Sequence, residues 1–478
     1  MNRPIRRVAV LCLVLFGLLL GNGTYLIVVR QDSLNAHAAN RRVRDAEFSQ
    51  DRGAILVGNT PIADTEPTDG RFGYQRVYPE PERYAHVTGW YSYDRARSGL
   101  EEGYNTELAG TDDSLFARRL VDLVTGRTPE GASVVTTIDP AAQRAAEEAL
   151  GDRKGAVVAL DPRTGAVLAT VSHPSYDPNR IASHDVEAAN EAYAELVDDP
   201  DNPLTNRGVR EIYPPGSTFK LVTAAAALEA GREPDSEVDT PAELTLPGTQ
   251  TTLGNDTDCG DGRVSLDRAL QLSCNTAFAN LGTELGADAL REQAERFGFD
   301  TRHLPDLNGA ASTFPEDPDP AQTALSAIGQ FEVAASPLQM AMVAGAIAND
   351  GVVMDPYLVS QVRAPNLSTL RETRPRELGR AMSAENAEQL QQMMVNVVDQ
   401  GTGTNGQIAG VEVGGKTGTA QSDLSQPPYA WFVSAAPMDD PQVAVAVFIE
   451  EADIPRNDIA GGRLAAPIAR EVTQAVLQ

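Results

Sequence analysis

The sequence predicts an α+β fold: an antiparallel sheet flanked by helices, a smaller β-rich region before it, and an N-terminal membrane helix. Three observations predict it. Strand patterns at residues 156–171 and again at 429–449 flank a long, mostly helical stretch, so one sheet is drawn from both ends of that region. Residues 58–110 are rich in Gly, Pro, Tyr and Asp with only short apolar runs, the mark of small strands and loops. Val8 to Val29 runs 22 residues without a charge, enough to span a bilayer.

At the N-terminus, Arg3, Arg6 and Arg7 precede the span and favour a cytoplasmic start. The competing reading is a cleaved signal peptide, with Val8 to Leu20 as its apolar region and Ala36-His37-Ala38 as a distant cleavage site. The anchor is the preferred reading, and either one places the rest of the chain outside the cytoplasm. The expected organisation is a short tail at 1–7, the anchor at 8–29, an N-terminal domain at 30–150 and a larger domain at 151–478.

Asp51-Arg52-Gly53 reads as a turn entering a strand at Ile55-Leu56-Val57. Ser114 to Val124 has helical spacing at Leu115, Leu120, Leu123 and Val124. Val134 to Ile138 reads as a strand, and Asp139-Pro140 then starts a helix over Ala141 to Leu150. Ala156–Leu160, the turn Asp161-Pro162-Arg163-Thr164-Gly165 and Ala166–Val171 form a strand-turn-strand unit. Residues 175–210 are polar and acidic without clear periodicity. Tyr213-Pro214-Pro215-Gly216 leads into a helix from Ser217 to Ala230, ended by Gly231. Further helices fit Ser265–Leu272, Ala287–Phe297, Pro337–Asn349, Ala384–Asp399 and Gly461–Leu477, with strands at Tyr429–Ala435 and Val443–Ile449.

A chain of 50.9 kDa with a formal charge of −28 can build two or three cores. Its acidic body argues against nucleic acid, which calls for basic patches. Five scattered histidines and no His-Glu-x-x-His point to no metal site and no cofactor. Of the three cysteines, Cys12 lies in the apolar span. Cys259 and Cys274 are candidates for a disulfide that would brace the loop between them, worth roughly 3 kcal/mol in the chain-entropy model. Two buried thiols are the alternative.

Of 39 basic residues only three are lysine: Lys154, Lys220 and Lys416. A chain that otherwise uses arginine keeps lysine where a proton must be given up or a compact charge is needed. Lys154 reads as a solvated turn residue. The other two lie in Ser217-Thr218-Phe219-Lys220 and Lys416-Thr417-Gly418-Thr419, with Ser273-Cys274-Asn275 between them. Each motif alone is an ordinary cap or turn; the ordered set is the signature of active-serine enzymes that react with penicillin.

Ser217 at a helix start sits near positive backbone N–H groups. Lys220, one turn later, can be driven towards neutrality by burial and take the Ser217 proton. Ser273 and Asn275, alternating on an extended loop, can relay a proton and hold a substrate carbonyl. Lys416 reads as a fixed charge for a terminal carboxylate, assisted by the Thr417 and Thr419 hydroxyls. Gly418 lets the strand edge approach substrate, and the Thr419 and Ser217 N–H groups can form an oxyanion hole.

These motifs, with Asp51-Arg52-Gly53, Gly99-Leu100-Glu101, Gly401-Thr402-Gly403 and Trp431-Phe432-Val433, make the chain resemble the class B penicillin-binding proteins, most closely the actinobacterial penicillin-binding protein A type. The resemblance covers almost the whole length. It implies the penicillin-binding serine transpeptidase fold and a membrane-anchored D,D-transpeptidase. Such an enzyme forms a serine acyl-enzyme at the D-Ala-D-Ala end of a peptidoglycan stem peptide and cross-links it to a neighbouring stem. β-Lactams would acylate the same serine. Residues 30–150 would be a non-catalytic pedestal, and a polytopic glycan polymerase with other elongation or division proteins would be the partners. Two other readings stay open: a D,D-carboxypeptidase, and a β-lactam sensor or scaffold without turnover. A β-lactamase of the class with a Glu-x-x-Leu-Asn segment is excluded, since none follows the Ser-x-Asn motif.

Overall fold

The computed structural model describes residues 3–30, 34, 41–116, 118, 124–125, 130–260, 262–420, 427–452 and 454–478. The predicted class is the one observed. Five antiparallel strands form the central sheet in the spatial order Gly414–Ala420, Tyr429–Ala436, Val443–Glu451, Lys154–Leu160, Val167–His173. Both its faces are covered, which explains why four of these strands, all but Gly414–Ala420, read as near-continuous apolar runs. Val157, Ala159, Ala430, Phe432, Val445 and Val447 pack under helices Pro140–Leu150 and Gly461–Leu477. Their neighbours Val158, Leu160, Trp431, Val433, Ala446 and Phe448 join the larger core on the other face, where helix Pro337–Ala348 lies wholly buried. The period of two therefore sorts each strand between two cores. Full burial of each Val or Phe there stabilises the fold by about 1.5–3 kcal/mol.

The N-terminal region has a second, six-stranded sheet, ordered Thr369–Glu372, Val359–Arg363, Ser133–Thr136, Ile55–Val57, Thr60–Pro67, Tyr74–Val77. Its first two strands form a hairpin contributed by the C-terminal half of the chain. Conversely, helix Pro140–Leu150 crosses over to the central sheet. The two parts of the protein are thus joined by sheet hydrogen bonds as well as by the chain.

Two weak motifs find each other here. Arg52, from Asp51-Arg52-Gly53, donates through Nε to Glu101 Oε2 at 2.6 Å, and Glu101 comes from Gly99-Leu100-Glu101. Arg76 Nε meets the other carboxylate oxygen at 2.6 Å, and all three side chains are buried. Burial alone would raise the Glu101 carboxyl, but Arg76 and Arg52 outweigh it and hold it below the ordinary carboxylate value. Gly53 must lack a side chain, because a Cβ would lie 1.9 Å from Ala132 O.

The helix Arg3–Val28 has mean hydropathy 2.1 in its most apolar window and none of its residues is buried. At about 39 Å long it exceeds a bilayer core of ~30 Å. It fits a single-pass membrane anchor.

Several expectations are corrected. The helix expected from Ser217 opens with a 3-10 turn, Gly216–Phe219, and becomes α-helical only at Lys220, ending at Glu229. Residues 175–210 hold helices Pro178–Ala182 and Val186–Asp198. Only Ala189 and Ala192 of the longer one are buried, too small an apolar stripe to show as periodicity, while its real signal was the capping Asp185. Lys154 is no solvated turn residue: it opens its strand and pairs with Asp201 at 3.2 Å and Glu450 at 3.7 Å. The expected helix over 114–124 falls largely outside the described residues.

Candidate active site

The turn that carries Ser217 is clamped on three sides. Gly216 takes a left-handed φ of +53°, and its N–H donates to Gly329 O at 3.0 Å. A side chain at Gly216 would meet Thr419 O at 2.8 Å. Thr218 Oγ1 donates to Pro215 O at 2.8 Å, and the Trp431 indole N–H donates to Pro214 O at 3.1 Å. Trp431 is fully buried, so a residue that looks like plain core also holds the segment before the nucleophile. Gly418 is also required by packing within the protein. Its missing Cβ would lie 2.9 Å from Thr218 Cγ2 and 3.0 Å from Pro215 O, so glycine admits the serine turn against the strand.

Ser273-Cys274-Asn275 is not an extended loop but a junction between helices. Ser273 caps helix Leu266–Leu272 in the left-handed conformation (φ +60°), and Asn275 is the first residue of helix Asn275–Leu285. The reversal at Ser273 turns both side chains to the lysines. Cys274, between them, is bridged to Cys259 with a Cα–Cα distance of 6.0 Å.

One hydroxyl joins the two lysines. Lys416 Nζ donates to Ser273 Oγ at 2.8 Å and to Thr417 O at 2.9 Å. Lys220 Nζ reaches Ser273 Oγ at 3.3 Å, Ser273 O at 2.7 Å and Asn275 Oδ1 at 2.7 Å. Both lysines are fully buried. Burial pushes Lys220 well below the ordinary lysine value; the neighbouring Lys416 charge pushes it further, and Asp256 opposes. Burial brings Lys416 down to about 7, so its charge is not fixed but titrates near neutrality. Ser217 is partly exposed, and among the described residues its Oγ has no hydrogen-bond partner.

Thr417 is buried and its Oγ1 lies 2.6 Å from Thr402 Oγ1, which ties the Gly401-Thr402-Gly403 turn to the lysine strand. Thr419 is exposed at the strand end. Sequence reasoning missed Thr402 and Asp256 as site residues. Asp256 belongs to no short motif; Thr402 lies in Gly401-Thr402-Gly403, whose glycines were a usable signal, since a Cβ at Gly401 would meet Gln271 O at 2.4 Å. Two cavities of about 800 and 780 Å³ hold none of these side chains.

An amine driven towards neutrality, a shared hydroxyl and a serine at a clamped turn are the parts of an acyl-transfer centre. Known proteins agree. The family model of the penicillin-binding protein transpeptidase domain matches residues 155–474, and that of the penicillin-binding protein A dimerisation domain matches 52–134. The peptidoglycan D,D-transpeptidase PbpA of Mycolicibacterium smegmatis is 46% identical, covering 100% of this chain and 99% of its own. That of Mycobacterium tuberculosis H37Rv is 45% identical with the same coverage. The structure of penicillin-binding protein A from M. tuberculosis as a ceftriaxone acyl-enzyme superposes with a TM-score of 0.87 at 45% identity, covering 91% of this chain and 100% of that one. Its penicillin G acyl-enzyme gives 0.86, covering 90% and 100%. The chain belongs to the class B penicillin-binding proteins, of the actinobacterial penicillin-binding protein A type.

Proposed function

We infer that the protein is a membrane-anchored peptidoglycan D,D-transpeptidase whose nucleophile is Ser217. Neutral Lys220 takes the Ser217 proton as Oγ attacks the carbonyl between the two terminal D-alanines. The N–H groups of Ser217 and Thr419 hold the oxyanion. Ser273 passes a proton to the departing D-alanine amine, leaving an acyl-enzyme. The amine of a neighbouring stem peptide then attacks, its surplus proton returns through the same groups, and Ser217 is regenerated. β-Lactams acylate Ser217 in the same way and remain attached. Lys416, in its charged form, steers the terminal carboxylate, with Thr417 and Thr419 beside it.

The observation that carries this reading is the single Ser273 hydroxyl within reach of both buried lysine amines. A proton can move between Lys220 and the leaving group by that route. The names of the relatives and their β-lactam acyl-enzymes support the same chemistry. The Cys259–Cys274 disulfide fits an oxidising compartment and so a body outside the cytoplasm, with the arginines before the span inside. Residues 30–150 serve as a non-catalytic pedestal for the domain over 151–478, completed by the hairpin from 359 to 372. A polytopic glycan polymerase is the partner such a pedestal would meet.

The experiment supplies the full chain in detergent with a D-Ala-D-Ala stem peptide and an acceptor amine. The expected result is a cross-linked dimer together with released D-alanine. Release of D-alanine with no dimer would replace this reading by a carboxypeptidase.

A further inference from the structure

The Asn275 amide is held at both ends. Its oxygen accepts from Lys220 Nζ at 2.7 Å. Its nitrogen has two hydrogens to give, and it reaches Gly254 O and Asp256 Oδ2, each at 3.2 Å. Both acceptors belong to the segment 254–259, which is strapped to the Ser-x-Asn junction almost residue by residue. Asn255 Oδ1 accepts from Thr276 N–H at 3.0 Å, and Thr257 Oγ1 donates to Leu272 O at 2.8 Å. Cys259 is bonded to Cys274.

A side-chain amide can sit two ways round, and the groups beside it choose. Turned over, Asn275 would set its NH₂ against the Lys220 amine and its oxygen against a carboxylate. We propose that Asp256 is a positioning residue for acyl transfer, selecting the Asn275 orientation in which the amide oxygen faces Lys220. This rests on the transpeptidase reading above. Asp256 also acts on Lys220 through space. The charged groups around that amine are Lys416, across the Ser273 hydroxyl, and Asp256 on the strap. After burial, Lys416 lowers its proton affinity and Asp256 raises it.

Two variants separate orientation from charge. Asp256→Asn keeps an acceptor oxygen but removes the charge; Asp256→Ala removes both. Acylation by a fluorescent penicillin is followed with the full chain in detergent across pH. With the carboxylate gone, Lys220 loses its proton more readily, so the acidic limb of the rate profile moves to lower pH in both variants. The plateau falls about tenfold in Asp256→Ala only, the scale of one lost charge-assisted hydrogen bond. An acidic limb that stays in place, a plateau unchanged in Asp256→Ala, or an equal loss in both variants would overturn the proposal. Failure of the unmodified chain to acylate at all would instead count against the transpeptidase reading.

Discussion

Two buried lysines share one hydroxyl, and burial lowers the proton affinity of both. In the proposed mechanism Lys220 is neutral when it receives the Ser217 proton, and Lys416 is charged when it attracts a carboxylate. Lys220 sits well below the ordinary lysine value and Lys416 at about 7, so the working form lies between their two ionisations. The acylation rate is expected to rise as Lys220 loses its proton and to fall as Lys416 does. The result is a bell-shaped profile whose limbs belong to the pair. Stopped-flow measurement with a penicillin across pH checks this; a rate that keeps climbing above neutrality would contradict it. Lys220→Arg should cost at least about a hundredfold in acylation, because a guanidinium cannot give up its proton. That Lys220 and Lys416 belong to one site was legible in the sequence because lysine is so scarce. Illegible were the partial neutrality of Lys416, which depends on burial, and the roles of Thr402 and Asp256, which arise only when distant turns meet.

Among elements, the pairing of Arg52 and Arg76 with Glu101 ties the segment before strand Ile55–Val57 and the strand Tyr74–Val77 to the helical turn Gly99–Gly103, and a stability test suits it. Glu101→Gln leaves two buried guanidinium groups without a counter-charge and should destabilise the protein by about 3–5 kcal/mol, read from denaturant unfolding. The sign of its pH dependence follows from the lowered Glu101 pKa. The stabilisation is present above the unfolded carboxyl value of about 4.3 and is lost as pH falls through the folded value. Unfolding curves for the unmodified chain should therefore show stability falling below that point, with Glu101→Gln less sensitive there. Removing the disulfide with Cys259→Ser and Cys274→Ser together should cost roughly 3 kcal/mol by the same measurement. Capping signals and apolar runs made helices Pro140–Leu150, Pro337–Ala348, Ala384–Gln400 and Gly461–Leu477 readable, with four of the five central strands; the fifth, Gly414–Ala420, showed only as its Lys-Thr-Gly motif. The helix Asn275–Leu285 was not readable, because its start is hidden inside the motif: Cys274 caps it without a side-chain hydrogen bond.

At the scale of the molecule, the sequence pointed to one sheet assembled from both ends of the C-terminal region, and the structure has that sheet. It gave no sign that residues 359–372 leave the C-terminal half to complete the six-stranded N-terminal sheet, since strand pairing over such a separation leaves no local pattern. The consequence is mechanical: the parts carrying the two sheets are tied by strand pairing and cannot turn freely about a linker. The proposed function turns on one event, the transfer of an acyl group to Ser217. Incubating the full chain with labelled penicillin, then mapping the adduct by peptide mass spectrometry beside a Ser217→Ala variant, tests it most directly. The label is expected on the peptide containing Ser217 and absent from the variant. Label retained by Ser217→Ala, or found on another residue, would contradict the account.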